Sequence, residues 1–444
     1  MPLSCTRPLR IAVIGSGISG LAAAWLLSQR HDVTVFEKDA RIGGHSNTVL
    51  FDAPGGPIAV DTGFIVFNQP NYPNLTALFE HLGVVTRESE MSFGVSRQGG
   101  RFEYAGSGLR SLLAQPTNVL RLRFWNMLRD LVRFYREAPS QMAGAPASLT
   151  LGQFLDRFGY NEVFRYDHLL PMAAAIWSVH VADAHNMPAR AFIEFFDNHG
   201  LLRLHGRSSW HTVVGGSATY VSRLCQPLNG RVHIKTRVAS IARSPTGVKL
   251  AGDRGHIGDF DHVVVATHAD QALAMLQDAD ATEQGLLGAF RYTKNRAVLH
   301  SDPSFMPRRR AVWSSWNYVE AQSGAHISYW MNRLQGLSER VPLFVTLNPT
   351  GDPSGGIMEE RYHHPVFDLP AIEAQRKLWS LQGHNNTWFC GAYFGAGFHE
   401  DGLQAGLAVA EDLGGGNRPW TVRAPSARIF RTSVASSPAV SLAS

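Results

Sequence analysis

Residues 10–37 contain Arg10-Ile11-Ala12-Val13-Ile14, then Gly15-Ser16-Gly17-Ile18-Ser19-Gly20, then Leu21-Ala22-Ala23-Ala24-Trp25-Leu26-Leu27, and, after a polar break, Val33-Thr34-Val35-Phe36-Glu37. The first apolar run has the length and composition of a parallel strand buried on both faces. A helix former's composition follows the glycines, and a second apolar strand ends in an acid. Strand, Gly-rich turn, helix, strand and acid in this order form a dinucleotide-binding unit. Gly15 makes the tight turn, Gly17 lets a pyrophosphate reach backbone N–H groups, and Gly20 lets helix and strand pack closely. Ser19 in the same turn joins the candidate contacts. Glu37, 17 residues after Gly20, would accept ribose hydroxyls and would repel a 2′-phosphate.

The residues that follow separate one dinucleotide from another. Glu37-Lys38-Asp39-Ala40-Arg41-Ile42-Gly43-Gly44-His45-Ser46 places a cation where it can neutralise a diphosphate and two glycines where the chain can pass under a flat ring. This stretch resembles the E-x-x-x-R-x-G-G-[RH]-[ST] extension of the FAD-dependent amine oxidoreductases, which include monoamine and polyamine oxidases, protoporphyrinogen oxidase and phytoene desaturases. The resemblance implies FAD, held in part by Lys38, Arg41, Gly43, Gly44 and His45. Val60-Asp61-Thr62-Gly63-Phe64 resembles the next family element, which implies that Gly63 and Phe64 lie beside the isoalloxazine.

The same family resemblance implies cofactor contacts in mid-chain and near the C-terminus. Gly215-Gly216-Ser217 precedes a predicted helix, Ala218 to Leu224. Val232-His233-Ile234, Val238-Ala239-Ser240-Ile241 and Val248-Lys249-Leu250 read as strands of a meander, with Val238 at the adenine-holding position. Asp261 to Thr267 is an apolar strand ending in Ala266-Thr267 that returns to the FAD domain. Trp388 to Gly402 reads as a strand and a Gly-rich loop, followed by a helix with small residues at every fourth position. Gly402 and Leu403 would open that helix toward the flavin's pyrimidine edge, beside Asp401, with Gly391 near the ribityl chain. No second GxGxxG follows a strand, so a built-in NAD(P)H site is not expected.

The expected fold class is therefore α/β: a Rossmann-type FAD-binding domain, amine oxidase/protoporphyrinogen oxidase-like, with a mixed α+β substrate domain inserted. FAD-binding segments fall at 1–74, 211–285 and 386–413. Substrate-domain segments fall at 75–210, mainly helical, and 286–385, mainly sheet. Residues 414–444 are expected to form a flexible tail.

The chain departs from the amine oxidases in its C-terminal motif. Leu403 stands where an aromatic often forms half of an amine cage, and Gly391-Ala392-Tyr393 replaces G-[ST]-E. Lys294 lies near the segment of the family lysine that reaches flavin N5, and also reads as a solvated strand-edge lysine. Leu170 to Ser178, Phe195 to Leu202, Tyr329 to Asn332 and Gly397 to Gly402 resemble a narrower group. These are bacterial predicted NAD/FAD-binding proteins similar to the flavin domain fused to plant cyclopropane fatty acid synthases. That resemblance implies an apolar, fatty-acyl or lipid substrate, desaturated, oxidised or isomerised by hydride transfer to flavin N5; with no NAD(P)H site expected, oxygen or a quinone is the expected electron acceptor. The alternatives are a flavin-bearing partner of a lipid methyltransferase and an amine or porphyrinogen oxidase. His399, then Glu400, are the first choices for a catalytic polar group over the flavin; an ordering hydrogen bond is the other role open to His399.

Composition narrows the rest. Forty-one Lys+Arg against 36 Asp+Glu leave +5 without a block of like charges, so nucleic acid is not an expected partner. Three scattered cysteines give no disulfide framework and fit a reducing compartment, so the expected location is cytoplasmic. No His pair has metal spacing with a nearby acid, and no G-x-S-x-G occurs. Tryptophans 125, 177, 210, 313, 316 and 330 concentrate in the substrate segments, as a dry pocket would require. Leu120 to Glu137 is a basic amphipathic helix whose Arg129, Arg133 and Arg136 line one side. It reads as packing on the core or as resting peripherally on the inner face of a membrane.

Overall fold

The computed structural model describes residues 7–203, 206, 208–321 and 324–431. A five-stranded parallel sheet runs in the order Val232–His233, Asp32–Phe36, Arg10–Ile14, His262–Val265, Thr387–Phe389. The central strand is sealed on both faces, which is why its sequence is continuously apolar rather than alternating. The helices Ile18–Leu27 and His399–Asp412 cross very closely in the same core. A Cβ on Gly402 would lie 2.7 Å from Ser19 Oγ, and one on Gly406 would lie 2.1 Å from the Ser19 carbonyl. Small residues at every fourth position thus serve this crossing.

The antiparallel meander is Val238–Ser244, Gly247–Gly252 and Gly255–Phe260. Val232–His233, expected as its first strand, instead pairs parallel with Asp32–Phe36. It arrives from the helix Ala218–Cys225, and a strand reached through a helix joins a sheet by a parallel crossover, whereas a meander needs tight turns.

The second large sheet has seven strands. Their order is Gly356–Val366, Arg291–His300, Phe344–Leu347, Gly324–Trp330, Trp316–Ala321, Phe93–Arg97, Phe102–Ala105. Residues 93–105 therefore complete a sheet whose other strands lie beyond residue 290. Phe134, Phe154, Phe164, Phe192 and Phe196, from the helices between these strand regions, form a separate aromatic core.

Of the two readings of the basic helix the structure shows packing on the core, and the expected tail is corrected. The helix runs Leu122–Ala143, and its apolar stripe turns inward: Phe124, Met127, Phe134 and Tyr135 are buried. Arg133 bonds Glu137 and the Phe158 carbonyl, and Arg129 pairs with Asp130. The tail expected to be flexible from residue 414 packs back as far as 431. Arg418 pairs with Glu411 and reaches Asn74, Trp420 stacks on Trp25, and Arg428 pairs with Asp401. Residues 432–444 lie outside the described residues. No helix among the described residues is long and apolar enough to cross a membrane.

Candidate active site

The Gly-rich turn divides its three glycines by function. Gly15 has φ +101°, and a Cβ there would stand 2.7 Å from the Ala266 carbonyl; on Gly20 it would stand 2.0 Å from the Gly15 carbonyl. Both are demanded by the fold. Gly17 has φ −67°, and a Cβ on it would meet nothing within 4 Å, because it faces a cavity. Glu37 closes the second strand with its carboxylate fixed. Ser16 N–H and Oγ–H donate to Oε2 at 3.0 and 2.6 Å, and Asp39 N–H donates to Oε1 at 2.9 Å. Arg41 donates to the Gly44 carbonyl at 2.5 Å and pairs with Glu360 at 3.0 Å.

That cavity, of about 1610 Å³, brings together Gly15, Gly17, Ser19, Glu37, Lys38, Arg41, Gly44, His45, Gly63, Phe64, Val238, Ala266, Gly391 and His399. It is lined by the segments 14–66, 236–239, 266–275 and 391–399, which meet only through the parallel sheet. Beyond the turn, Phe64 stacks on His399 with ring centroids 3.9 Å apart and planes 11° from parallel. His399 Nε2 lies 2.6 Å from the Tyr220 hydroxyl, which in turn bonds Ser46 Oγ. His45 lies between Tyr362 and His364, at 4.9 and 5.4 Å. Burial lowers the pKa of His399, His364 and His268 to about 3 and that of His45 to about 4. These four imidazoles are therefore neutral at physiological pH. His268, Tyr220, Tyr362 and His364 carry no signal in the sequence. No group of residues suited to a metal ion occurs among the described residues.

Several expected site residues stand elsewhere. Glu400 is fully buried and accepts from Asn74 N–H, Leu75 N–H and the Gln404 amide, capping the helix Pro73–Leu82 from across the core. It is a structural carboxylate and does not line the cavity. Lys294 is exposed on the strand Arg291–His300, opposite His363, also off the cavity. The helix expected to open at Gly402 begins at His399, because Asp401 Oδ2 accepts from Phe398 N–H at 2.7 Å and caps the chain earlier. Asp401 and Leu403 are buried in the helix crossing with Gly402. Gly43 and Gly20 shape the turn without facing the cavity; on Gly43 a Cβ would stand 2.6 Å from the Ser46 carbonyl.

The cavity continues from the glycines into an apolar chamber lined by Leu128, Val132, Met172, Ile176, Trp177 and Trp316, among others. The inward stripe of the helix Leu122–Ala143 is thus part of its wall. Trp210 also lines it, whereas Trp313 and Trp330 flank Arg310 in a separate cluster. Of the carboxylates along the cavity, Glu37 and Asp39 stand at the turn, Glu360 pairs with Arg41 and Glu90 with Arg333. Among the described residues the chamber holds no unpaired carboxylate.

Comparison with known proteins places these features in context. Residues 18–300 match the family model described as flavin containing amine oxidoreductase. The chain is 23% identical over 386 residues to a putative flavin-containing monoamine oxidase, AofH, of Mycobacterium tuberculosis, covering 83% of this chain and 77% of that one. Among solved structures, cyclohexylamine oxidase from Brevibacterium oxydans superposes with TM-score 0.66 at 18% identity, covering 91% of this chain and 99% of that one. A CLA-producing fatty acid isomerase from P. acnes superposes with TM-score 0.64 at 16% identity, covering 92% and 99%.

Proposed function

This chain belongs to the flavin-containing amine oxidoreductases and is an FAD-dependent oxidoreductase, and on that premise we propose that its substrate is a long apolar molecule, of fatty-acyl or lipid type. The observation that carries this reading is the chamber: it is continuous with the glycine-lined cavity, walled by Leu, Val, Ile, Met and Trp, and free of an unpaired carboxylate. A cationic amine would need such a carboxylate or an aromatic cage, and Leu403 is buried away from the cavity. The fold does not choose, since its neighbours include an amine oxidase and a fatty acid isomerase. The motifs shared with the fatty-acid-synthase-linked group support the same choice.

FAD, when bound, would supply the two-electron acceptor for a hydride from a substrate carbon that also loses a proton, with oxygen or a quinone as the final oxidant. The chain's part is to bind and orient. Gly17 and Ser19 leave backbone room for the diphosphate, Lys38 and Arg41 offset its charge, and Glu37 takes the ribose hydroxyls. Val238 and Ala266 border the adenine and diphosphate side. Gly44, His45, Gly63, Phe64 and Gly391 frame the ring and ribityl chain. His399, neutral and held by Tyr220, orders the wall beside the reacting carbon, and the apolar chamber excludes water.

Anaerobic bleaching of the yellow holoprotein tests the reading. Long-chain fatty acids or phospholipids should reduce the flavin, or, for a redox-neutral isomerisation, be converted with no net bleaching. Bleaching by amines or a porphyrinogen alone, with no acyl product, overturns it.

A further inference from the structure

Residues 105–129 turn the usual arrangement of a surface segment inside out. Their polar side chains point inward: Ser111, Gln115 and Asn118 are buried. Gln115 accepts from Glu103 N–H at 2.8 Å and donates to the Arg101 carbonyl at 2.8 Å, while the Asn118 amide donates to the Glu103 carbonyl at 2.9 Å. Six large apolar side chains of 109–125 point outward, while Phe124 and Met127 stay buried. Leu109 is 77% exposed, Leu120 87%, Leu122 81% and Trp125 50%, with Leu113 and Val119 beside them at 39% and 41%. These six are half of the large apolar side chains exposed among the described residues, so the exposure is a patch rather than ordinary surface scatter. The Trp125 indole N–H donates to the Val119 carbonyl at 2.8 Å, which holds the ring at the surface.

Charge follows the same pattern. Arg110 and Arg121 carry positive charge in this stretch, whereas Arg123 is paired with the buried Asp167 and Arg129 with Asp130; no acid occurs in the sequence between Glu103 and Asp130, both buried. Gly106, Ser107, Leu112 and Leu128 of the stretch line the cavity, so the patch adjoins one end of it.

We propose that this patch docks on an anionic lipid bilayer. Leu109, Leu120, Leu122 and Trp125 enter the headgroup boundary, and Arg110 and Arg121 beside them meet lipid phosphates. A second copy of the chain is the poorer occupant, because a two-fold contact would set the arginines of one copy against those of the other. The docking goes beyond the substrate reading and stands without it.

Flotation of the holoprotein with vesicles tests the surface separately from turnover. Wild type should float with phosphatidylcholine vesicles containing phosphatidylglycerol, weakly with phosphatidylcholine alone, and progressively less as salt shortens the Debye length from about 10 Å at 0.1 M to about 3 Å at 1 M. Leu109→Ser/Leu120→Ser/Leu122→Ser, with its flavin absorbance retained, should bind anionic vesicles about tenfold or more weakly. Arg110→Glu, a single exposed substitution, should also weaken binding, and only to the anionic vesicles. Equal flotation of wild type and both variants, no flotation of wild type, or a dimer that the triple variant dissolves would each overturn the proposal. Flavin bleaching by a detergent-dispersed substrate should be the same in wild type and triple variant. The failure of either reading thus leaves the other intact.

Discussion

The Tyr220 hydroxyl and His399 Nε2 lie 2.6 Å apart, joining the helix Ala218–Cys225 to the first residue of the helix His399–Asp412. Burial holds the phenol's pKa above its usual value and the imidazole's at about 3, so both partners are neutral at physiological pH. The pair orders the cavity wall rather than storing a proton. His399→Ala should slow flavin reduction by about tenfold, the worth of one hydrogen bond of about 1.4 kcal/mol. The acid limb of the pH profile should stay in place. A limb displaced in the variant would show that the histidine titrates during turnover.

Gly17→Val should give folded, colourless protein. Its backbone angles suit any residue and its Cβ meets no protein atom, so only the diphosphate's place is taken. Gly20→Ala should do the reverse and lower stability by about 1–3 kcal/mol by overpacking against the Gly15 carbonyl. Flavin absorbance and thermal melting, measured on both variants, separate the two roles.

Acid should destabilise the protein steeply. Burial holds His45, His199 and His300 at about 4, and His268, His364 and His399 at about 3. Once the pH falls below 6.5, the unfolded chain protonates these six while the folded chain does not. Each removes up to about 1.4 kcal/mol per pH unit until its folded pKa is reached. Asp61, raised by burial to about 6, takes up a proton in the folded state first and offsets one of them below that pH. Urea unfolding followed from neutral pH to about pH 5 should show the loss, and a flat profile would contradict the neutral cluster.

Arg428→Ala should cost about 3–5 kcal/mol, because it leaves the Asp401 carboxylate buried without its partner. Chemical unfolding measures it. A cost below about 1 kcal/mol would mean that residues 414–431 are not held as described.

Glu400→Gln should lower stability by about 1–3 kcal/mol while the rate of flavin reduction per bound flavin stays unchanged, since its oxygens serve the helix Pro73–Leu82. Lys294→Met should change neither quantity. Stopped-flow reduction of the two variants distinguishes these structural placements from catalytic ones.

The sequence by itself determined the nucleotide half of the molecule. The strand at 10–14, the Gly15, Gly17 and Gly20 spacing and Glu37 act on one another within thirty residues, so local order and backbone sterics are enough to read them. The start of the last helix, the caps made by Glu400 and the route of residues 414–431 were decided elsewhere, by contacts such as Glu400 with Asn74 and Arg428 with Asp401. His268, His364 and Tyr362 reach one cavity only because two sheets bring distant segments together, and no local pattern marks them. The outward-facing leucines of 109–122 are the sharpest case. Amphipathic periodicity says that a helix has an apolar side, but only the buried Gln115 and Asn118 fix which side of the segment is turned to solvent. The hydrogen bonds of Gln115 and Asn118 to the backbone of Arg101 and Glu103 hold the segment in that orientation, and the position of that backbone is a property of the tertiary structure.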